Sequence, residues 1–302
     1  MAGQHCKNWK RLSTSRDRLF ERSRCMDKRG KIPGQLRPII EAKLNELQVE
    51  RKRVSFQAIR RLAEERAKEW DGRFHFRDAL AEGTTPRIIA EIKRGSPSKG
   101  LFSPDLNPEK QARIYEKAGA AAISVITEKN FFFAAENDFE KVKASTFLPV
   151  LRKDFILDPY QIFQSKVMGS DAVLLIVRIL EPDQLFDFVE TAHSLGMSTL
   201  VEVHNKRELD HALEAQCSVI GINNRDLDTF EVSLTRTEDL AGYIDMDKHV
   251  VVCESGITGP DDIRRIMKTG VRAFLIGEHL VKSEDPALTL KTLLEAGRNG
   301  GK

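Results

Sequence analysis

Glu91 and Lys93 stand two residues apart where an apolar run, Ile88-Ile89-Ala90, meets charge. Alternate side chains of an extended strand share a face, so this spacing points a carboxylate and an ammonium the same way. Gly95, Ser96, Pro97, Ser98 and Gly100 follow, a loop of small residues whose amides and hydroxyls suit an anion. An acid, a base and an anion loop at one strand end are the parts needed for proton transfer on a negatively charged small molecule. Taken alone, Glu91 and Lys93 read equally well as a structural ion pair capping a strand.

The pattern recurs along the chain. Lys153 and Phe155 in LRKDF share one face of a third apolar run, with Arg152 and Asp154 on the other. Glu202 lies in LVEVH, Asn223 and Arg225 in GINNRD, Ser255 and Gly256 follow Glu254, and Gly277-Glu278 follows FLI. One charged strand end is ordinary. This many on one rim would make a poor structural layer and a sensible site. The small residues Ser255, Gly256 and Gly277, with Ser96, suggest phosphate held through backbone amides. Phe132, Phe155 and Leu174 lie near the same rim and suit a planar ring, although core packing explains each of them singly.

The elements that must hold these residues form a repeat. Strand-like runs are predicted at Ile88–Ile92, Ala121–Ile126, Leu148–Leu151, Ala172–Val177, Thr199–Val203, Val219–Ile222, His249–Cys253 and Ala273–Ile276. Helical segments separate them, several opened by proline and closed by glycine: Pro108–Ala118, Glu136–Ser145, Pro159–Met168, Pro182–Leu195, Lys206–Glu214, Leu234–Ile244, Pro260–Lys268 and Pro286–Leu294. Eight strand–helix units predict a parallel sheet closed into a single (β/α)8 barrel, with its site at the C-terminal strand ends. An open doubly wound sheet is the alternative, but it usually carries a GxGxxG turn, which the chain lacks.

Three segments are expected. Residues 84–302 form the barrel. Residues 35–83 form a helical extension, with Ile39, Ile40, Leu44 and Leu47 at helical spacing and a second charged helix at Phe56–Trp70. Residues 1–34 hold 10 Lys and Arg against 3 Asp and Glu, few aliphatics and no periodicity, and read as a disordered basic arm. The rest of the chain is mildly acidic, with 38 basic residues against 42 acidic ones.

No apolar run approaches the roughly 18 residues that span a bilayer, so no membrane partner is expected. The four cysteines are scattered without a CxxC, and the histidines form no HExxH or HxH. That suits a reducing, cytoplasmic setting and predicts neither a protein-bound metal nor another cofactor. Targeting by the Arg- and Ser-rich head stays open.

From about Gln35 onward the chain resembles the indole-3-glycerol phosphate synthase family. The segments carrying the resemblance are IAEIKRGSPSKG, AGAAAISVITE, LPVLRKDFILDPYQI, DAVLLIV, GMSTLVEVH, IGINNRDLDTFEV, VVCESGI and FLIGEHLV. The resemblance implies a barrel with its extension over the mouth, and closure of an indole ring with loss of CO2 and water from a carboxyphenylamino-deoxyribulose phosphate. It implies Lys153 as general acid, Lys93 as partner of the substrate carboxylate and second proton donor, and Glu202 as acid/base of the dehydration. Glu91 would orient the lysines, while Asn223 and Arg225 hold substrate. Ser96, Ser255, Gly256, Gly277 and the Glu278 amide would bind phosphate, and Phe132, Phe155 and Leu174 would pack on the anthranilate ring.

The chain departs from the family pattern after the second strand, where Ala134-Ala135 replaces a Gly-Ser pair. Alanine takes φ > 0 only at a cost, so a different loop path is expected. Cys253 is read as a core thiol. Three rival functions follow from the same residues. One is an isomerase of the phosphoribosylanthranilate type, whose Cys/Asp pair the first strand does not offer. Another is a paralogue acting on a related arylamine sugar phosphate. The third is nucleic-acid binding through the basic head, which no accompanying motif supports.

Overall fold

The computed structural model describes Ile32 and residues 34–297. Eight parallel strands close into a barrel in chain order: β1 (Arg87–Ile92), β2 (Ala122–Ile126), β3 (Val150–Lys153), β4 (Ala172–Ile176), β5 (Ser198–Val203), β6 (Val219–Asn223), β7 (Val250–Glu254) and β8 (Ala273–Ile276). β8 pairs back onto β1, Phe274 opposite Ile88, and completes the (β/α)8 fold. The strands are almost wholly buried because helices cover the outside and side chains fill the inside.

Three helices precede the barrel: α1 (Arg37–Arg53), α2 (Phe56–Ala67) and α3 (His75–Ala81). The barrel helices are α4 (Pro108–Ala118), α5 (Asp138–Ser145), α6 (Pro159–Met168), α7 (Pro182–Ser194), α8 (Lys206–Glu214), α9 (Thr235–Ala241), α10 (Pro260–Met267), the short α11 (Glu278–Val281) and α12 (Pro286–Glu295). Local chemistry sets their ends. Proline occupies the first turn of α4, α6, α7, α10 and α12, where a missing N–H breaks no helical bond. Asp158 caps α6 in a reciprocal box with Gln161, and Gly169 ends it at φ 90°.

Two readings of the sequence shift. The third strand begins at Val150, two residues later than expected, since Pro149 contributes only its carbonyl to the ladder, accepting from the Ile123 amide. The strand also ends later, at Lys153, which pairs with Ile126. The extension also divides its position. α1 lies at the mouth, where Ile39, and Leu36 in the turn just before the helix, reach the central cavity. α3 closes the opposite end: the Arg77 amide donates to Ser198 Oγ at the start of β5, the Arg87 guanidinium at the start of β1 donates to the Ala79 carbonyl, and Phe76 is fully buried. Seven residues are too few for their periodicity to show.

Most of the expected basic head lies outside the described residues. Ile32 is described, and it packs into the core.

Candidate active site

The side chains singled out at the strand ends converge on one cavity at the C-terminal mouth. Glu91 and Lys93 face it from β1, Lys153 and Phe155 from β3, Leu174 from β4, Glu202 from β5, and Asn223 and Arg225 from β6. Ser255, Gly256, Gly277 and Glu278 line it from the last two loops, Ser96 from the first and Phe132 from the second. Strand parity explains the selection. Arg152, one residue before Lys153, points outward and donates to Gln164 and Ser165 of α6, while Lys153 points in.

At the centre is a buried cation among acids. Lys153 Nζ lies 3.7 Å from Glu202 Oε2 and 3.7 Å from Glu254 Oε2. Burial alone lowers the Lys153 pKa, but Glu202, Glu254 and Glu91 outweigh it and hold the amine above its ordinary value, as an ammonium. Lys93 Nζ sits 3.0 Å from Glu91 Oε1. Burial pushes the Glu91 carboxyl up, yet Lys93 and Lys153 together keep it below its usual range.

Glu254 was not among the residues expected to do chemistry. Burial and the facing Glu202 raise its carboxyl to about 8, against the pull of Lys153. Its space comes from Gly221 on β6, where an added Cβ would stand 2.0 Å from Glu254 Oε1. A glycine inside the strand VIGIN was the available signal of a close approach. Gly277 does the same for Glu91, with an added Cβ 2.2 Å from Glu91 Oε1. Its place in the site is thus steric as well as at the rim.

Asn223 ties the acids to the loop after β7. Its Nδ2 donates to Glu202 Oε1 at 3.1 Å, and its Oδ1 accepts from Ser255 Oγ at 2.9 Å and the Arg225 amide at 3.0 Å. The parallel register, with Asn223 opposite Glu254, brings them level. Ser255 and Gly256 both take left-handed backbone, φ 63° and 90°. Ser96 Oγ is buried without a hydrogen-bond partner beside the same cavity. The Glu278 side chain is engaged elsewhere: burial raises its carboxyl, but Lys99 and Lys282 hold it down to about 2.

The aromatic wall is built by the loop after β2. The Glu128 carboxylate accepts from the amides of Asn130, Phe131 and Phe132 at 3.0, 2.7 and 3.0 Å, which sets Phe132 with its ring 6.2 Å from that of Phe155. Ala134 and Ala135 avoid positive φ. Phe133 and Asn137, on either side of the pair, take the left-handed turns instead, at φ 62° and 64°. Cys253 is a buried thiol, raised to about 11 by burial, with Asn224 Nδ2 donating to its sulfur.

A closed parallel barrel with buried ammonium and carboxyl groups at its mouth, beside left-handed small-residue loops, defines an α/β-barrel enzyme of the phosphate-binding kind. The chain belongs to the indole-3-glycerol phosphate synthase family, whose model matches residues 36–293. It is 48% identical over 214 residues to the indole-3-glycerol phosphate synthase of Thermoanaerobacter pseudethanolicus, covering 71% of this chain and 82% of that one. It is 41% identical over 261 residues to that of Carboxydothermus hydrogenoformans, covering 86% and 99%. Among solved structures, the thiamine phosphate pyrophosphorylase of Pyrococcus furiosus aligns at TM-score 0.54 with 15% identity, over 71% of this chain and 96% of that one. The KGPDC of Streptococcus mutans aligns at TM-score 0.56 with 13% identity, over 72% and 100%, and this likeness concerns the barrel alone.

Proposed function

We propose that the chain is an indole-3-glycerol phosphate synthase of L-tryptophan biosynthesis, converting 1-(2-carboxyphenylamino)-1-deoxyribulose 5-phosphate to indole-3-glycerol phosphate, CO2 and water. The observation that carries the reading is Lys153, a buried ammonium held between Glu202 and Glu254 in the cavity of a family member.

The steps follow from the chemistry. As the carboxylate-bearing ring carbon attacks the ribulose carbonyl, the oxygen gains charge and takes a proton from Lys153. The cyclised intermediate loses CO2, and the released electron pair restores the aromatic ring, so no electron sink is needed. The new hydroxyl departs as water with a proton from Lys93. Glu202 takes the proton from the ring carbon beside nitrogen, and its electrons close the second double bond. Two protons leave the lysines and one returns to Glu202, which matches the one proton that the net reaction consumes.

Glu91 helps keep Lys153 charged and holds Lys93 in place. Lys93 also faces the substrate carboxylate, and Arg225 with Asn223 holds the sugar chain. The phosphate is held at Ser96, the Ser255-Gly256 turn, Gly277 and the Glu278 amide. Phe132, Phe155 and Leu174 enclose the anthranilate ring. Residues 35–83 act as an extension that serves the barrel of residues 84–302. Among the described residues no helix is long and apolar enough to cross a membrane, and a cytoplasmic setting completes the proposal.

The test is direct. Purified protein is incubated with the arylamino-deoxyribulose phosphate in buffer containing a chelator and no added cofactor, and indole fluorescence and CO2 are followed. Stoichiometric formation of both supports the reading. Substrate consumed without an indole product, or activity that returns only with a divalent ion, contradicts it.

A further inference from the structure

His204 has no part in the steps above, yet it lies directly behind one of them. It is two residues beyond Glu202, and its side chain is 2% exposed against 3% for Glu202. Its Nδ1 is 3.0 Å from Glu208 Oε2 at the start of α8. Glu208 is heavily committed: it also accepts from the His204 amide, from Asn205 Nδ2 and from Arg178 Nε, at 2.8, 2.8 and 2.9 Å. Arg178 in turn reaches Asp228 in the loop that follows Arg225. Burial raises the Glu208 carboxyl, but the hydrogen bonds from His204 and Arg178 overcome it and hold the group down to about 2. Glu208 is therefore an anion, and an anion requires a donor, which fixes the ring proton on Nδ1.

The other ring nitrogen is the anomaly. His204 Nε2 is 3.4 Å from Glu202 Oε1, fully buried, and without any hydrogen-bond partner. A proton on Nε2 would make the ring a cation paired with Glu202 at 3.4 Å but outside hydrogen-bond geometry, and a bare lone pair facing a carboxylate oxygen is mildly repelled. Either arrangement leaves the atom unsatisfied, and buried polar atoms of this kind call for an explanation. The neutral ring finds a partner in one state: when Glu202 carries a proton on that oxygen, its O–H donates to Nε2.

Resting on the proposed reaction, in which Glu202 takes a proton from the ring carbon, we infer that His204 is a positioning residue built for the protonated form of Glu202. Glu208 and Arg178 orient the imidazole, Nε2 waits beside Glu202 Oε1, and the hydrogen bond forms as the proton arrives. The stabilisation appears in the product of the proton transfer and partly in its transition state, but not in the Michaelis complex. It therefore acts on kcat and leaves KM alone.

Three variants separate this from simple packing. Asparagine can place an amide near the Nδ1 position and keep the bond to Glu208, while the Nε2 acceptor is lost. Glutamine can place its carbonyl near Nε2. His204→Asn is expected to lower kcat roughly tenfold or more, the worth of one hydrogen bond, with KM and melting temperature near wild type. His204→Gln is expected to recover most of that loss, and His204→Phe to recover none. Wild-type kcat in His204→Asn, or equal losses in the Asn and Gln variants, would overturn the inference.

An independent measurement needs no variant: 15N NMR of histidine-labelled wild-type protein should show the His204 proton on Nδ1 and a bare Nε2. A protonated Nε2 in the resting enzyme would also overturn the inference. Wild-type turnover is measured first, so an inactive wild type counts against the proposed function and not against this role for His204.

Discussion

Lys43 of α1 forms a buried ion pair with Asp154, the neighbour of Lys153, at 3.0 Å from Nζ to Oδ1, with the two side chains 3% and 0% exposed. The mouth helix is thus fastened one residue from the central ammonium. Asp154 also meets Arg152 at 3.0 Å and accepts from Thr127 Oγ1 at 2.7 Å. Burial raises its carboxyl, but Lys43 and Arg152 hold it down to about 2.

Replacing Lys43 by Met is therefore expected to destabilise the fold by about 3 kcal/mol, the lower end for a broken buried pair, because Arg152 remains. It should also raise KM, since α1 carries Ile39 into the cavity. The sign with pH follows. Asp154 drops from 3.8 unfolded to about 2 folded, so its contribution is present above about pH 4 and fades as pH falls towards 2. Denaturant melts and steady-state kinetics check both points. An unchanged melt and unchanged KM would remove α1 from the account.

Gly277→Ala should leave the fold intact and damage catalysis. The added methyl lies 2.2 Å from Glu91 Oε1, so the carboxylate must swing away and release Lys93. A loss of roughly tenfold or more in kcat is expected, the worth of one charged hydrogen bond. Gly242→Ala, with nothing within 4 Å of the added atom, is the matched control. Equal activity in the two variants would show that Glu91 tolerates displacement.

The acids differ in their response to alkali. Glu254 rises from 4.5 unfolded to about 8 folded, so its contribution is complete below about pH 4.5 and is lost as pH climbs through 8. Glu254→Gln keeps the shape and removes this titration. Its melting temperature relative to wild type should therefore climb between pH 5 and 8.5, by the equivalent of a few kcal/mol. A flat difference across that range would mean that Glu254 is ionised in the folded protein.

Much of this was legible in the sequence, for definite reasons. Alternation at two residues put Glu91 with Lys93 and Lys153 with Phe155 before any coordinates, and eight strand–helix units left little besides a barrel. Glu254 was named only as the residue before Ser255, since a strand-end acid shows its burial only when Gly221 is seen making room for it. The unpartnered Nε2 of His204 depends on two carboxylates converging in space, which spacing along the chain cannot report. The loop after β2 was expected to change course at Ala134-Ala135. In the structure the left-handed positions there fall on Phe133 and Asn137.

The N-terminal boundary makes a prediction of its own. Deleting residues 1–30 removes most of the basic excess and spares Ile32, which is buried. Ordering such a segment would cost about 1–2 kcal/mol per residue with few apolar contacts in return, so turnover and melting temperature should stay near wild type. Deleting through Leu47 should raise KM sharply, because Lys43 and Ile39 leave with it. Lost activity in the shorter deletion would make the head a working part.

The central claim is that Lys153 delivers the proton that allows the ring to close. Lys153→Met keeps the length and apolar stem of the side chain and removes the donor. Single-turnover ring closure on the arylamino-deoxyribulose phosphate should slow by about 10²–10⁴-fold, the usual worth of general acid catalysis, with the substrate still bound. A rate within tenfold of wild type would contradict the account, because the proton would then come from elsewhere.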